Sequence, residues 1–89
     1  MTRKDRIAAA LTEALRPTRL DVVDESDRHA GHSGARPGGE THYRLHIVSP
    51  NFVGKSRVER HRMVNALLAA EFASGLHALA IAAAAPDEA

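Results

Sequence analysis

Proline and glycine cut this chain into short pieces, and no regular element can run through the cuts. Pro17, Pro50, Gly54 and Gly75 stand apart, whereas Gly31, Gly34, Pro37, Gly38 and Gly39 crowd one stretch. Proline removes a backbone donor and clashes inside a helix, and glycine costs conformational entropy there. Each piece left between the cuts has room for one helix or one strand.

The pieces have distinct periods. Residues 3–16 read as an amphipathic helix: Thr2 and Asp5 are spaced as a capping pair, and Ile7, Leu11, Ala14 and Leu15 recur on one face up to Pro17. Residues 19–25 suit a strand, with Leu20 and Val22 alternating against Asp21 and Val23. Residues 27–39 form a loop. Residues 40–49 are the clearest strand, with Thr41, Tyr43, Leu45 and Ile47 on one face and His42, Arg44 and His46 on the other. Ser49-Pro50 opens a single helical turn that Gly54 closes. Ser56-x-x-Glu59 then caps a long helix over 57–74, which Gly75 terminates. A short strand follows over 76–82, and residues 83–89 are expected to fray.

This order, α-β-β-α-α-β, predicts an α+β fold in one domain spanning residues 1–89. The first two strands form an antiparallel hairpin, and the third returns through a helical crossover to run parallel to its neighbour. The result is a three-stranded mixed sheet with helices packed on one face.

Composition narrows the chemistry. At 89 residues there is no room for a dinucleotide-binding unit beside a substrate domain. No apolar run approaches the ~20 residues of a membrane span, and the first residues lack the apolar core of a signal peptide. The cytoplasm is the expected compartment. The chain has no Cys and six His. It therefore has no disulfide framework, no catalytic thiol and no thiolate with which to hold a metal or cluster alone. No P-loop or dinucleotide fingerprint is present, and no Ser is tied to a particular His, so a non-enzymatic role is expected.

The histidines separate by position. His29-x-x-His32 lies in the glycine-rich loop, where spacing alone leaves two imidazoles either solvated or brought together around a metal. His42 and His46 flank Arg44 on the face expected to be solvated. His61 falls within the apolar stripe of the long helix, beside Val64 and Val58, as a packing residue. His77 shares a face with Leu79 and Ile81, which argues for burial, yet it follows Gly75 at the sheet's rim, where a ring nitrogen could stay accessible. Spacing leaves that choice open.

Two charge clusters complete the inventory. Lys55, Arg57, Arg60 and Arg62 oppose only Glu59 at the turn into the long helix, a position like the entry helix of a nucleic-acid reader; the residues alone leave open a solvated, partly salt-bridged helix start or a weak phosphate contact. Arg57 and Arg60 nevertheless lie on a different side of the helix from Arg62, and no aromatic interleaves them. Asp21, Asp24, Glu25 and Asp27 make an acidic run read as a solvated strand end.

Four segments carry a resemblance as well as spacing: DESDRHAGH (24–32), GETHYRLHIVS (39–49), FVGKSRVERHRMVN (52–65) and GLHALAI (75–81). Together, in this order, they resemble the BolA family across nearly the whole chain. The resemblance implies an α-β-β-α-α-β fold similar to a class II KH domain, although Gly54-Lys55-Ser56-Arg57 replaces the G-x-x-G that clamps nucleic-acid backbone in KH domains.

It also implies two roles. In the first, such a protein partners a monothiol glutaredoxin around a bridging [2Fe-2S] cluster, in iron–sulfur or iron homeostasis or redox signalling. The glutaredoxin and a glutathione supply sulfur. His77 supplies one imidazole, and His29, with His32 as the alternative, supplies the other. Two imidazoles replacing two thiolates on one iron is an established arrangement. In the second role, the protein is a DNA-binding transcriptional regulator of stress response and cell morphology. Segment 50–74 would then meet duplex DNA through Lys55, Arg57, Arg60 and Arg62. Alone, the chain is expected to be a monomer or weak homodimer.

Overall fold

The computed structural model describes residues 2–25 and 41–89. The first helix, α1 (Arg3–Leu15), starts where the capping pair predicts. Thr2 Oγ1 accepts the Asp5 N–H at 3.1 Å, and the Asp5 carboxylate accepts the Thr2 N–H at 3.2 Å. These bonds hold the Asp5 carboxyl below its ordinary pKa. Ile7, Leu11 and Leu15 form the buried stripe. The helix ends at Arg16, which adopts a left-handed conformation (φ 44°) just before Pro17. The freed Leu15 carbonyl accepts the buried Ser49 hydroxyl at 2.6 Å and the Asn51 amide at 3.0 Å.

The sheet contains β1 (Arg19–Asp24), β2 (His42–Val48) and β3 (Ala78–Ala84) in spatial order β1-β2-β3. As expected, β1 pairs antiparallel with β2 and β2 pairs parallel with β3. Register places Val22 against Leu45 and Leu20 against Ile47, and continues through Leu45 to Ile81 and Ile47 to Ala83. One-residue alternation therefore puts all these side chains on the helix-facing side. There they pack with Ile7, Leu11 and Leu15 of α1, with Phe52, and with Val64 and Leu68 from the crossover. The opposite face leaves Arg19, Asp21, Val23, Arg44, Ala80 and Ala82 exposed. The α+β class, the mixed sheet and the one-sided helical layer are thus as the sequence predicts.

Three expectations need correction. The helical turn after Ser49 is a 3₁₀ turn, Pro50–Phe52, which feeds the capped helix, but that helix is not continuous over 57–74. It divides into α2 (Arg57–Leu67) and α3 (Ala69–Ala73) at Leu68, whose φ of −105° and ψ of 15° leave the helical region. The Leu68 N–H is shared between the Val64 and Asn65 carbonyls at 3.1 and 3.2 Å. The bend keeps Leu68 in the core while carrying Glu71 onto α1. There the Glu71 carboxylate meets Arg3 at 2.9 Å and Arg6 at 3.0 Å, and Arg3 also reaches the Ser74 hydroxyl at 2.9 Å. The Arg6 hydrogen bond, with the charges of both arginines, lowers the Glu71 pKa.

The second correction is that the last strand spans 78–84 rather than 76–82, because Leu76 and His77 complete the turn that Gly75 starts. Third, residues beyond 82 are docked rather than frayed. Ala83 and Ala84 belong to β3, Ala85 is buried, and a second 3₁₀ turn (Pro86–Glu88) is fastened to α2 through Arg60 and Glu88. No helix among the described residues is long and apolar enough to cross a membrane.

Candidate functional site

Side chains with chemistry gather at the two ends of β3. At its start, Gly75 takes a φ of 127°, a conformation that side chains oppose. The Leu76 N–H reaches back to the Glu71 carbonyl at 2.9 Å, closing the helix end, and Leu76 is buried. This turn delivers His77 to the sheet's rim. The Thr41 carbonyl accepts the His77 N–H at 2.7 Å and the Ala78 N–H at 3.1 Å, so the backbone is fixed on both sides of Cα. The His77 side chain belongs to an exposed residue, which resolves the alternatives left by its spacing in favour of accessibility.

His42 lies beside it. The two rings are 5.8 Å apart between centroids and tilted by 45°. His42 is only 8% exposed, and its Nδ1 lies 2.9 Å from the Thr41 hydroxyl. The expectation of a solvated His42 is therefore corrected. Alternation assigned its face rightly, but the His77 turn crowds that end of the sheet, a relation no local pattern encodes. His46, four residues further along β2, is 38% exposed at its side chain, with its Nδ1 4.0 Å from the Asp21 carboxylate.

The segment carrying His29 and His32 lies outside the described residues. Its two anchors do not. The Glu25 N–H donates to the His42 carbonyl at 2.8 Å, and Thr41 is the acceptor for His77 and Ala78. The chain thus leaves β1 and enters β2 at the His77 end of the sheet. Among the described residues, no three His, Asp or Glu side chains could hold a metal ion together.

At the other end of β3, the start of α2 and residues 81–84 enclose an open concavity of about 510 Å³. Lys55, Arg57, Arg60, His61 and His46 line it, with Glu88 as its acid. Arg60 is only 11% exposed at its side chain, although it reads as a surface cation in sequence. Its Nη1 donates to the Ala83 carbonyl at 3.2 Å and its Nη2 to Glu88 Oε2 at 3.0 Å, and the guanidinium carbon stands 5.9 Å from the Phe52 ring centroid. The buried Nε has no hydrogen-bond acceptor among the described residues. The Arg60 hydrogen bonds and the Ala85 N–H, donating to Glu88 Oε1 at 2.9 Å, lower the Glu88 pKa to about 2. His61, expected as a packing residue, is half-buried and faces this concavity.

The four sequence-predicted cations therefore do not share one role. Lys55 and Arg57 are exposed, Arg60 is committed to Glu88, and Arg62 is exposed outside the concavity. Sequence reasoning missed the His42–His77 pair and the Arg60–Glu88 pair. The first could have been suspected from the parallel register, which aligns His42 with Ala78. The second joins residues with no local signal between them.

Comparison with known proteins places the chain. Residues 11–88 match the family described as BolA-like protein. The UV-induced protein uvi31 of Schizosaccharomyces pombe is 48% identical over 99% of this chain and 90% of its own length. SufE-like protein 1 of Arabidopsis thaliana is 49% identical over 93% of this chain, which corresponds to 24% of that longer protein. The solved BolA domain of SufE1 from Arabidopsis thaliana superposes with a TM-score of 0.91 at 48% identity, covering 100% of this chain and 98% of that one.

Proposed function

The chain belongs to the BolA family, whose members are known as non-enzymatic regulators or partners, and on that premise we propose that it partners a monothiol glutaredoxin. In this reading the pair shares a [2Fe-2S] cluster: the glutaredoxin and glutathione bring sulfur, and this chain brings His77 and one loop imidazole, His29 or His32. The work is done in the cytoplasm, in iron–sulfur handling or redox signalling.

One observation carries the reading. His77 is an exposed imidazole whose backbone is held by Thr41, at the sheet end where both anchors of the His29–His32 segment lie. A ligand donated to a partner needs an open ring on a rigid mount, and His77 meets both conditions. The cluster would supply electron transfer or storage. This chain's part is to present imidazole nitrogen and to exclude solvent from one side of the shared site.

Anaerobic co-expression with a monothiol glutaredoxin tests it. The expected product is a coloured heterodimer whose visible circular dichroism changes in His77→Ala. A wild-type spectrum from that variant would remove His77 as a donor. His29→Ala and His32→Ala, compared in the same way, assign the loop ligand.

The DNA-binding reading retains Lys55, Arg57 and Arg62 as exposed cations, with Arg60 committed to Glu88. It predicts duplex affinity that falls steeply with salt, with a shallower slope in Arg57→Ala. No measurable affinity near physiological salt would end it.

A further inference from the structure

We propose that the concavity between the start of α2 and residues 81–84 binds the phosphate of a small phosphomonoester, a nucleotide or a sugar phosphate. This site is separate from the His77 end, and its lining residues take no part in the glutaredoxin reading. Lys55 and Arg57 line the concavity, are exposed, and have no ion-pair partner among the described residues. The acid lining it, Glu88, is already engaged: one oxygen takes the Ala85 N–H and both face the Arg60 guanidinium. An entering phosphate therefore meets two open cations and a carboxylate whose charge is compensated. His46 from β2 and His61 from α2 add imidazole nitrogens from two further directions.

The donors are side chains rather than the helix end. The capping box occupies that end, with Ser56 Oγ accepting the Glu59 N–H at 3.1 Å and Glu59 accepting the Ser56 N–H at 2.8 Å. Size points to a small ligand. About 510 Å³ falls within the range of small-molecule pockets, and the wall formed by Ile81 and three alanines leaves room for a body beyond the phosphate. A duplex would instead need cations spaced along its backbone, and Arg62 lies outside this surface.

Amide shift mapping of the full chain tests the proposal, with adenosine 5′-monophosphate, glucose 6-phosphate and inorganic phosphate as probes. Adenosine and sodium chloride at matched ionic strength serve as controls. The expected result is saturable shifts at 55–61 and 81–84 with the phosphorylated probes and none with the controls. Combined Lys55→Gln and Arg57→Gln should weaken binding about tenfold or more, as expected for losing charge-assisted hydrogen bonds, while Arg62→Gln and His77→Ala leave it unchanged. Tighter binding of the nucleotide than of the sugar phosphate identifies the former as the source, and the reverse order identifies the latter. Shifts reproduced by sodium chloride, or shifts that fail to saturate, overturn the proposal. So does a short duplex that binds more tightly than either phosphomonoester and depends on Arg62 as strongly as on Arg57.

Discussion

The start of β3 is positioned at His77 by backbone bonds, whereas its end adds a charged pair to the backbone ladder. Around His77, the Thr41 carbonyl gathers two N–H groups and Gly75 supplies the turn, leaving the imidazole exposed beside His42. Around Ala83, a guanidinium and a carboxylate do the fastening, and the side chains that hold the structure are themselves the chemistry of the site. Backbone bonds are indifferent to salt and to acid in the range where carboxylates titrate, whereas ion pairs are not. The two ends of one strand should therefore answer differently to solution conditions.

Phe52→Ala makes the largest challenge to that contrast. Phe52 is fully buried and underlies Arg60, so truncation should cost about 3–5 kcal/mol. Urea unfolding should show the loss in one transition for the whole sheet. If amides near His77 kept their protection while those at 81–84 lost theirs, the two ends would be independently stable and not joined by the shared core.

The two glycines that precede the sites give a matched pair. Gly75→Ala should cost about 1–3 kcal/mol, since its φ of 127° is one that side chains resist. It should also speed exchange of the His77 amide. Gly54, just before Lys55, has a φ of 76°, but a Cβ there would meet nothing within 4 Å. Gly54→Ala should therefore cost only backbone strain, about 1 kcal/mol, with the phosphate probes binding as before. Equal losses from the two substitutions would contradict the stricter positioning assigned to the His77 end.

Acid gives the smallest and most local effect. Glu88 has a folded pKa of about 2, below its ordinary 4.5, so its contribution is present above the ordinary value and is lost as pH falls through about 2. The Ala85 amide should thus stay protected at about pH 4 and open near the lower value. Loss of Ala85 protection already near the ordinary carboxyl value would show that Arg60 does not hold Glu88 in solution. Added salt should loosen the same contact through screening.

Much of this architecture is written locally. Thr2 with Asp5 and Ser56 with Glu59 mark their helix starts, because a capping box needs only four consecutive residues. Alternation from Thr41 to Ile47 sets the register, because a one-residue slip would expose Leu45 and Ile47. What escaped the sequence is long-range. The bend at Leu68 answers to Arg3 and Arg6, far away on α1. The burial of His42 answers to a turn that arrives with His77, and the docked end of the chain answers to a pairing between Arg60 and Glu88. His77 itself was recognisable as a candidate, but its exposure depends on Gly75 and Thr41 together. The positions of His29 and His32 fall outside the described residues.

The parallel pairing of β2 with β3 has a kinetic consequence. β1 and β2 are nearer to each other in the chain than β2 and β3 are, and β3 can join only after α2 and α3 have brought it back across the sheet, so the entropy of closing that crossover precedes any reward from its contacts. His42 meets His77, and Arg60 meets Ala83, in that same late event. An incompletely folded chain would therefore offer neither a mounted imidazole nor a cationic hollow, and both surfaces should emerge together when the last strand docks.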